Sequence, residues 1–537
     1  MVAVALPPVA TRAPVNKWLV TVSITFGTLM GTIDASIVNV AVPHLSGSLG
    51  ATVEQITWVS TGFALANVIV MPLTAFLGRL FGQKRVYMFC LCLFLVGSAL
   101  CGMARSLEML VACRILQGFG AGALQPTEQA ILRQTFPPEE QGMAMALFGI
   151  AVMLGPAFGP TLGGYIVDNW SWPWIFYINL PVGLIGLFMV HSFVHEPEDI
   201  RQANVAAAAQ QRKHMDWAGI AMLTVGLASL QYVLEEGNRK DWFEDSTIAV
   251  LAVTAVVALL LFAARELTAT VPAVNLSLFK DKVFLSGTLI GGVMFAMLMA
   301  VTFILPVFMQ TLLGYDAMQS GMALMPRSLI MFFVVPIVGR LYNKIQPRIV
   351  VAFGVLCFTV STWFMSHYTL ETSEQQLLIP LVIQGVGFAC LWVPLATVAL
   401  STIDRRKMAD ATGLNSLVRQ IGGSLGLAVF ATLMTRYPIQ IKAAIGAHLT
   451  AGRPELDQRI AAMTQLLIGK GYDVESARQA AFRALGGAVS RQAMMMTFEK
   501  MFLMAGIAFL FVLPLLYFLK APENRADAAK PEVHVEM

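Results

Sequence analysis

Residues 108–132 read EMLVACRILQGFGAGALQPTEQAIL, a largely apolar stretch that nevertheless carries Arg114, Gln117, Gln125 and Glu128. A helix needs about 20 mostly apolar residues to cross a bilayer, so this stretch is long enough to span one. Residues 377–401, LLIPLVIQGVGFACLWVPLATVALS, repeat its signature. Gln117-Gly118-Phe119-Gly120 with Pro126 returns as Gln384-Gly385-Val386-Gly387 with Pro394. Upstream of each, Gly78-Arg79-Leu80 with Lys84 returns as Gly339-Arg340-Leu341 with Lys344. Two matched pairs in the same order predict a duplicated helical bundle.

Working outward from these stretches, similar apolar runs recur from Trp18 to Leu519. They fall at 18–42, 55–77, 86–104, 108–132, 142–167, 174–195, 217–235, 246–265, 283–312, 320–343, 349–367, 377–401, 412–434 and 498–519. The spans at 217–235 and 246–265 lie between the repeats and have no counterpart. The expected fold is therefore an all-α membrane protein with about fourteen transmembrane helices, two six-helix halves and two inserted central helices. Residues 1–195 form the first bundle and 196–282 a linker with the inserted helices. Residues 283–520 form the second bundle, with a long extracytoplasmic connection at 435–497, and 521–537 a cytoplasmic tail. The chain is 57% hydrophobic and only 13% charged, too little charge to cover a soluble protein of this length.

Lys and Arg cluster in alternate connections: Arg79/Lys84/Arg85, Arg133, Arg201/Arg212/Lys213, Lys280/Lys282, Lys344/Arg348 and Arg405/Arg406/Lys407. These connections are cytoplasmic by the positive-inside rule, and an even span count then places both termini in the cytoplasm. The net charge of +4 gives no reason to expect a nucleic-acid partner. The six cysteines sit in apolar runs without zinc or redox spacing and read as small core residues. No metal cluster, no cofactor motif, no catalytic constellation and no Gly-rich Lys-Ser/Thr nucleotide loop is present. The chain is not expected to be an enzyme, and an ion gradient is left as its energy source.

Ionisable groups inside spans are costly and need a reason. Asp34 lies about 12 Å before the outer end of its span and Arg114 about 9 Å inside the outer end of an oppositely directed one. Similar depth allows the two to pair or to exchange a proton. Gln117, Gln125 and Glu128 fall within about 60° of Arg114 around the helix, a polar stripe that suits a wet cavity. A static ion pair for Asp34–Arg114, and an interfacial role for Glu128, are the plainer readings of the same residues. Leu381 stands at the repeat position of Arg114, which assigns ion coupling to the first half.

The span at 142–167 carries Gly155-Pro156, Gly159-Pro160 and Gly163-Gly164. Small residues at four-residue spacing let helices approach closely, and proline kinks them. The expectation is a hinge or seal, with ordinary packing as the plain alternative. The span at 412–434 carries Asn415, Arg419, Gln420 and Gly422-Gly423, where Arg419 either lines a cavity or snorkels to the interface.

Four patches together resemble the major facilitator superfamily over nearly the whole chain, and within it the fourteen-span drug:proton antiporter group of the EmrB/QacA type. Leu29-Met30-Gly31-Thr32-Ile33-Asp34 to Asn39-Val40-Ala41-Val42-Pro43 is similar to that group's first-helix motif. Arg114-Ile115-Leu116-Gln117-Gly118 resembles the fourth-helix motif. Gly155-Pro156 through Gly163-Gly164, followed by Trp172, Trp174, Phe176, Asn179 and Pro181, resembles the antiporter motif. Asp241-Trp242-Phe243 and Ser277-Leu278-Phe279, with the long connection before the last span, resemble the EmrB branch.

The resemblance implies a proton-coupled efflux antiporter of lipophilic small molecules in a bacterial inner (plasma) membrane, working by alternating access of two halves. Asp34, Arg114 and Glu128 would couple protons. Gln117, Gln125, Asn39, Gln384, Asn415 and Arg419 would line the substrate path. Arg79, Gly82 and Lys84 occupy the cytoplasmic gate loop after the second helix. That loop departs from the superfamily pattern: Ala75 and Arg79 stand where a Gly and an Asp are usual, so Arg79 is expected to pair with Glu139 or Glu140. In a two-membrane cell the resemblance also implies a periplasmic adaptor and an outer-membrane channel. Export of one dedicated metabolite or lipid-like compound is the alternative within transport. A non-pumping sensor is the alternative outside it.

Overall fold

The computed structural model describes residues 16–519, apart from 214, 270–271, 343 and 450–452. The expected tail at 521–537 lies outside the described residues. Within them, all regular structure is helical. In chain order the α-helices are α1 (Lys17–Leu49), α2 (Val53–Ile56), α3 (Trp58–Phe81), α4 (Gln83–Gly102), α5 (Leu107–Thr135) and α6 (Gln141–Asn169). Then come α7 (Trp174–Tyr177), α8 (Asn179–Phe193), α9 (Glu198–Lys213), α10 (Trp217–Glu236), α11 (Ser246–Thr268) and α12 (Lys282–Thr311). The last are α13 (Ala317–Leu341), α14 (Pro347–Met365), α15 (Glu374–Val398), α16 (Met408–Ala447), α17 (Pro454–Ile468) and α18 (Val474–Leu510).

Among the described residues, 14 helical segments are long and apolar enough to cross a membrane. Their outward faces support that reading. Val250, Val253, Val256, Val257 and Leu260 of α11 are all exposed, as are Phe332, Phe333 and Ile337 of α13. In water such continuous apolar surface would drive association; against lipid tails it is the expected surface.

The chain divides into two compact units. Unit 1 holds Met1–Ala221, Ala263–Leu276 and Ile403–Ser416; unit 2 holds Met222–Phe262, Ser277–Thr402 and Leu417–Met537. In unit 1, α1 packs on α6, and α3 and α4 pack on α5. In unit 2, α13 and α14 pack on α15, and α14 on α18. The repeated Gln-Gly-x-Gly stretch explains both centres. A Cβ on Gly118 would lie 2.5 Å from the Phe63 carbonyl oxygen of α3, and one on Gly120 2.6 Å from the Cys90 carbonyl oxygen of α4. In α15 a Cβ on Gly385 would lie 2.6 Å from the Arg327 carbonyl oxygen, and one on Gly387 3.0 Å from the Gly354 carbonyl oxygen. Each glycine pair thus lets two neighbouring helices approach a central one backbone to backbone.

The connection at 435–497 is mostly helix. α16 runs on past the expected end of its span to Ala447, and α18 begins at Val474, well before the expected start of the last span. The reason is local. The polar, alanine-rich flanks propagate a helix already nucleated in the apolar segment. Between them α17 starts with Pro454 at its first position, where the missing N–H costs nothing. α17 packs on α18 and has no buried residue.

Candidate functional site

The polar core of unit 1 is built by α1, α4, α5 and α8. Asp34 and Arg114 are each 1% exposed. Arg114 Nη1 donates to Asp34 Oδ2 at 2.5 Å and to Gln117 Oε1 at 2.6 Å, while its Nε donates to the Val59 carbonyl at 3.1 Å. Asp34 Oδ1 accepts from Gln117 Nε2 at 2.9 Å and from Asn179 Nδ2 at 2.9 Å. Both amides also donate to Ser98 Oγ, at 2.6 Å and 3.1 Å. The guanidinium carbon lies 4.2 Å from the centre of the Phe63 ring and 5.7 Å from that of Phe176. Around this network the packing is apolar, from Ile37, Val38, Ala41, Val59, Leu110 and Phe176.

This arrangement stores a charged pair where charge is expensive. An Arg cannot in practice give up its proton, so Asp34 is the member of the pair able to change charge. Its two oxygens take three donors, one of them cationic. Protonating it therefore weakens several charge-assisted contacts at once and frees Arg114 to rearrange.

Glu128 lies apart from that network, about 21 Å further along α5 at 1.5 Å per residue. It is fully buried. Its Oε1 accepts from Thr25 Oγ1 of α1 at 3.2 Å, and its Oε2 has no hydrogen-bond partner. Thr28 of α1 and Tyr87 of α4 are its other polar neighbours. The Tyr87 hydroxyl donates instead to the Ile24 carbonyl at 2.5 Å. Gln125, between the two sites, is half-buried and makes no side-chain hydrogen bond among the described residues. The polar stripe of α5 is thus two separate buried sites rather than one continuous lining.

The Gly/Pro stretch of α6 packs on the part of α1 that carries Asp34. A Cβ on Gly155 would meet the Thr32 backbone at 2.4 Å, one on Gly159 the Ser36 side chain at 2.6 Å, and one on Gly163 Ile37 Cγ1 at 3.0 Å. Gly164 is different: its nearest neighbour would be Val40 Cγ1 at 4.0 Å. Pro160 is half-buried; the side chains of Pro156 and Asn39 lie outside the described residues.

At the end of α3, the expected pairing of Arg79 with Glu139 or Glu140 is not found. Arg79 Nη1 lies 2.7 Å from both carboxylate oxygens of Asp410, at the start of α16. Its Nε donates to Gln211 Oε1 of α9 at 3.3 Å and its Nη2 to the Ala273 carbonyl at 3.1 Å. Glu140 is engaged by Lys17 instead. Asp410 is a long-range partner that no local pattern announces. Gly82 turns the chain at φ 88°, where only glycine is at ease. The next N–H but one, of Lys84, donates to Glu196 Oε1 at 2.9 Å, and Lys84 Nζ donates to the His191 carbonyl at 2.7 Å.

Asn415 is buried in unit 1. In unit 2, Arg419 does not snorkel: it is 5% exposed, with its guanidinium 5.2 Å from the Trp392 ring centre and 5.7 Å from that of Phe295. Gln384 is fully buried and accepts from Arg327 Nη1 at 3.4 Å. Sequence reading passed over Arg327, although an arginine inside the apolar run at 320–343 was the same signal that singled out Arg114. It also passed over Ser98, whose role needs partners from three other positions.

The model of the Major Facilitator Superfamily matches residues 24–427. The fatty acid resistance protein FarB of Neisseria gonorrhoeae is 33% identical over 94% of this chain and 96% of that protein. The multidrug export protein EmrB of Escherichia coli K12 is 33% identical over 94% of this chain and 95% of that one. Among solved structures, the proton:xylose symporter XylE superposes with a TM-score of 0.57 at 12% identity, covering 91% of this chain and 94% of that one. The human organic anion transporter MFSD10 superposes with a TM-score of 0.56 at 14% identity, covering 92% and 99%; at these identities the likeness is one of fold. With matches of this extent, the chain belongs to the Major Facilitator Superfamily and is a multi-pass membrane transporter, not an enzyme.

Proposed function

We propose that this chain is a proton-coupled multidrug exporter of lipophilic small molecules in a bacterial inner membrane, with both termini in the cytoplasm. The observation that carries the coupling is the buried Asp34–Arg114 pair at 2.5 Å, inside a helix bundle that gives it no other reason to be charged. A buried ion pair is weak evidence for stability, so a transport role is the better account of its presence. The names of relatives, fatty acid resistance for FarB and multidrug export for EmrB, support lipophilic cargo. Lipophilic cargo also suits an apolar bundle rich in Met and Phe, 30 and 33 residues, since such side chains repack around varied shapes.

In this reading Asp34 is the proton-sensitive group and Arg114 its counter-charge. Glu128, buried without a paired cation, is a second proton site on the same helix. Gly155, Gly159 and Gly163 let α6 slide against the segment of α1 that bears Asp34. Arg79, with Gly82 and Lys84, holds the end of α3. The helices α17 and early α18 offer a surface to a periplasmic adaptor that connects to an outer-membrane channel. The test is transport in proteoliposomes under an imposed pH gradient. Wild-type protein moves a lipophilic dye against its gradient and releases protons in exchange; substrate movement indifferent to the pH gradient would defeat the proposal.

A further inference from the structure

Among the described residues, Arg327 is a buried cation for which neither the fold nor the proton-coupling network supplies an account. It sits in mid-helix, about 15 Å from the start of α13 at 1.5 Å per residue, and is 5% exposed. An arginine at such a depth costs about 2.5–3.5 kcal/mol on insertion scales. In unit 1 the comparable Arg114 is offset by Asp34. For Arg327 no carboxylate does this among the described residues. Its hydrogen bond is the 3.4 Å contact to Gln384 Oε1, a long one to an uncharged acceptor.

Gln384 is 0% exposed, and its Nε2 has no hydrogen-bond partner. A buried amide nitrogen left unpaired costs about 1–3 kcal/mol. Two turns earlier on the same face of α13, the buried Ser320 Oγ is also unpartnered. The guanidinium and the Gln384 amide are therefore donors brought together in a buried setting with too few acceptors. The backbones are held fixed there, because Gly385 brings α15 against the Arg327 carbonyl. What this arrangement lacks is negative charge. A monoanionic group that presents two oxygens side by side, such as a carboxylate or a sulfonate, matches the guanidinium fork and would take the amide donor as well. The surrounding helix faces would take an apolar body.

We propose that Arg327 and Gln384 form an anion-binding site within unit 2 that takes the headgroup of a lipophilic organic anion. This rests on the export reading above and narrows its substrate class. The depth of Arg327 in its helix favours a free amphiphile over a phospholipid headgroup, which stays at the membrane surface.

The test uses the full chain and two fluorescent probes with one carbon skeleton: 8-anilinonaphthalene-1-sulfonate, an anion, and N-phenyl-1-naphthylamine, which lacks the sulfonate. Binding is measured in nanodiscs of phosphatidylcholine, free of anionic lipid. Wild-type protein should bind the sulfonate, and Arg327→Gln should weaken that binding about tenfold or more while leaving the neutral probe within about twofold. Arg327→Lys, which keeps the charge but loses the fork, should fall between. Adding phosphatidylglycerol should not displace the sulfonate; displacement would assign the site to lipid headgroups and overturn the proposal. Equal sulfonate binding by wild type and Arg327→Gln would also overturn it. So would parallel loss of both probes in Arg327→Gln with recovery of both in Arg327→Lys, which marks a purely structural arginine. Transport of the neutral probe in proteoliposomes separately tests export, so failure of that reading shows there and not in the binding comparison.

Discussion

Arg79 and Asp410 hold each other across 331 positions of sequence, with one guanidinium nitrogen 2.7 Å from both carboxylate oxygens. Asp410 is 7% exposed and Arg79 21%. The pair fixes the first turn of α16 onto the end of α3, and Gln211 and the Ala273 carbonyl complete the coordination of the guanidinium. Breaking a largely buried pair by losing one partner costs about 3 kcal/mol or more. Asp410→Arg and Arg79→Asp should each lower the melting temperature and cut transport about tenfold. The double reversal should recover most of both. A double variant no better than the singles would show that the two residues act independently, and a double-variant cycle read by thermal melting and dye transport decides it.

Asp34→Asn should abolish transport driven by a pH gradient. It also leaves Arg114 buried without a counter-charge, so a loss of about 3–5 kcal/mol in stability should accompany it. The double variant Asp34→Asn/Arg114→Gln removes both charges and should restore folded yield without restoring coupling. Melting curves read beside proton release separate the two effects. Recovery of coupling in the double variant would mean that the pair is structural and that protons travel elsewhere.

Glu128→Gln tests the second buried carboxyl. The substitution keeps the shape and the contact with Thr25 but fixes the neutral state. If Glu128 exchanges protons during the cycle, the variant should bind substrate normally and lose most pH-driven exchange. Unchanged proton release per substrate would place Glu128 among static buried polar groups.

The glycines of α6 should not be equivalent. Gly155→Ala puts a methyl 2.4 Å from the Thr32 backbone, and backbone cannot move aside as a side-chain tip can. Overpacking of this kind costs about 1–3 kcal/mol, and transport should fall sharply. Gly164→Ala meets Val40 only at 4.0 Å and should leave transport and stability close to wild type. Equal effects at the two positions, measured by transport and melting temperature, would refute the close-approach account.

Replacing residues 448–473, which include α17, by a short flexible linker should leave transport in proteoliposomes intact, because α17 buries none of its residues. In a two-membrane cell the same change should lower drug resistance if that surface meets an adaptor. Resistance equal to wild type would reduce α17 to a spacer.

Apolar length, the Lys/Arg distribution and the repeated Gln-Gly-x-Gly stretch were sufficient to read a duplicated fourteen-span bundle, because the bilayer imposes a fixed length and internally satisfied hydrogen bonds on every crossing segment. Asp34 and Arg114 were visible as charges out of place, and their matching depth followed from helix rise alone. The three-donor shell around Asp34 was not visible. Ser98 and Asn179 are unremarkable in sequence and matter only because α4 and α8 bring them to the same carboxylate. The stripe of α5 differs from its reading for a related reason: angular position around a helix says which residues share a face, not how far apart along it their partners lie. Glu128 meets Thr25 and Arg114 meets Asp34, both on α1, but the two lie about 21 Å apart along α5 at 1.5 Å per residue. Partnerships such as Arg79 with Asp410, and the unmatched charge of Arg327, belong to tertiary structure. They depend on segments hundreds of residues apart arriving at one place, where a charge is tolerated or not according to what else is buried beside it.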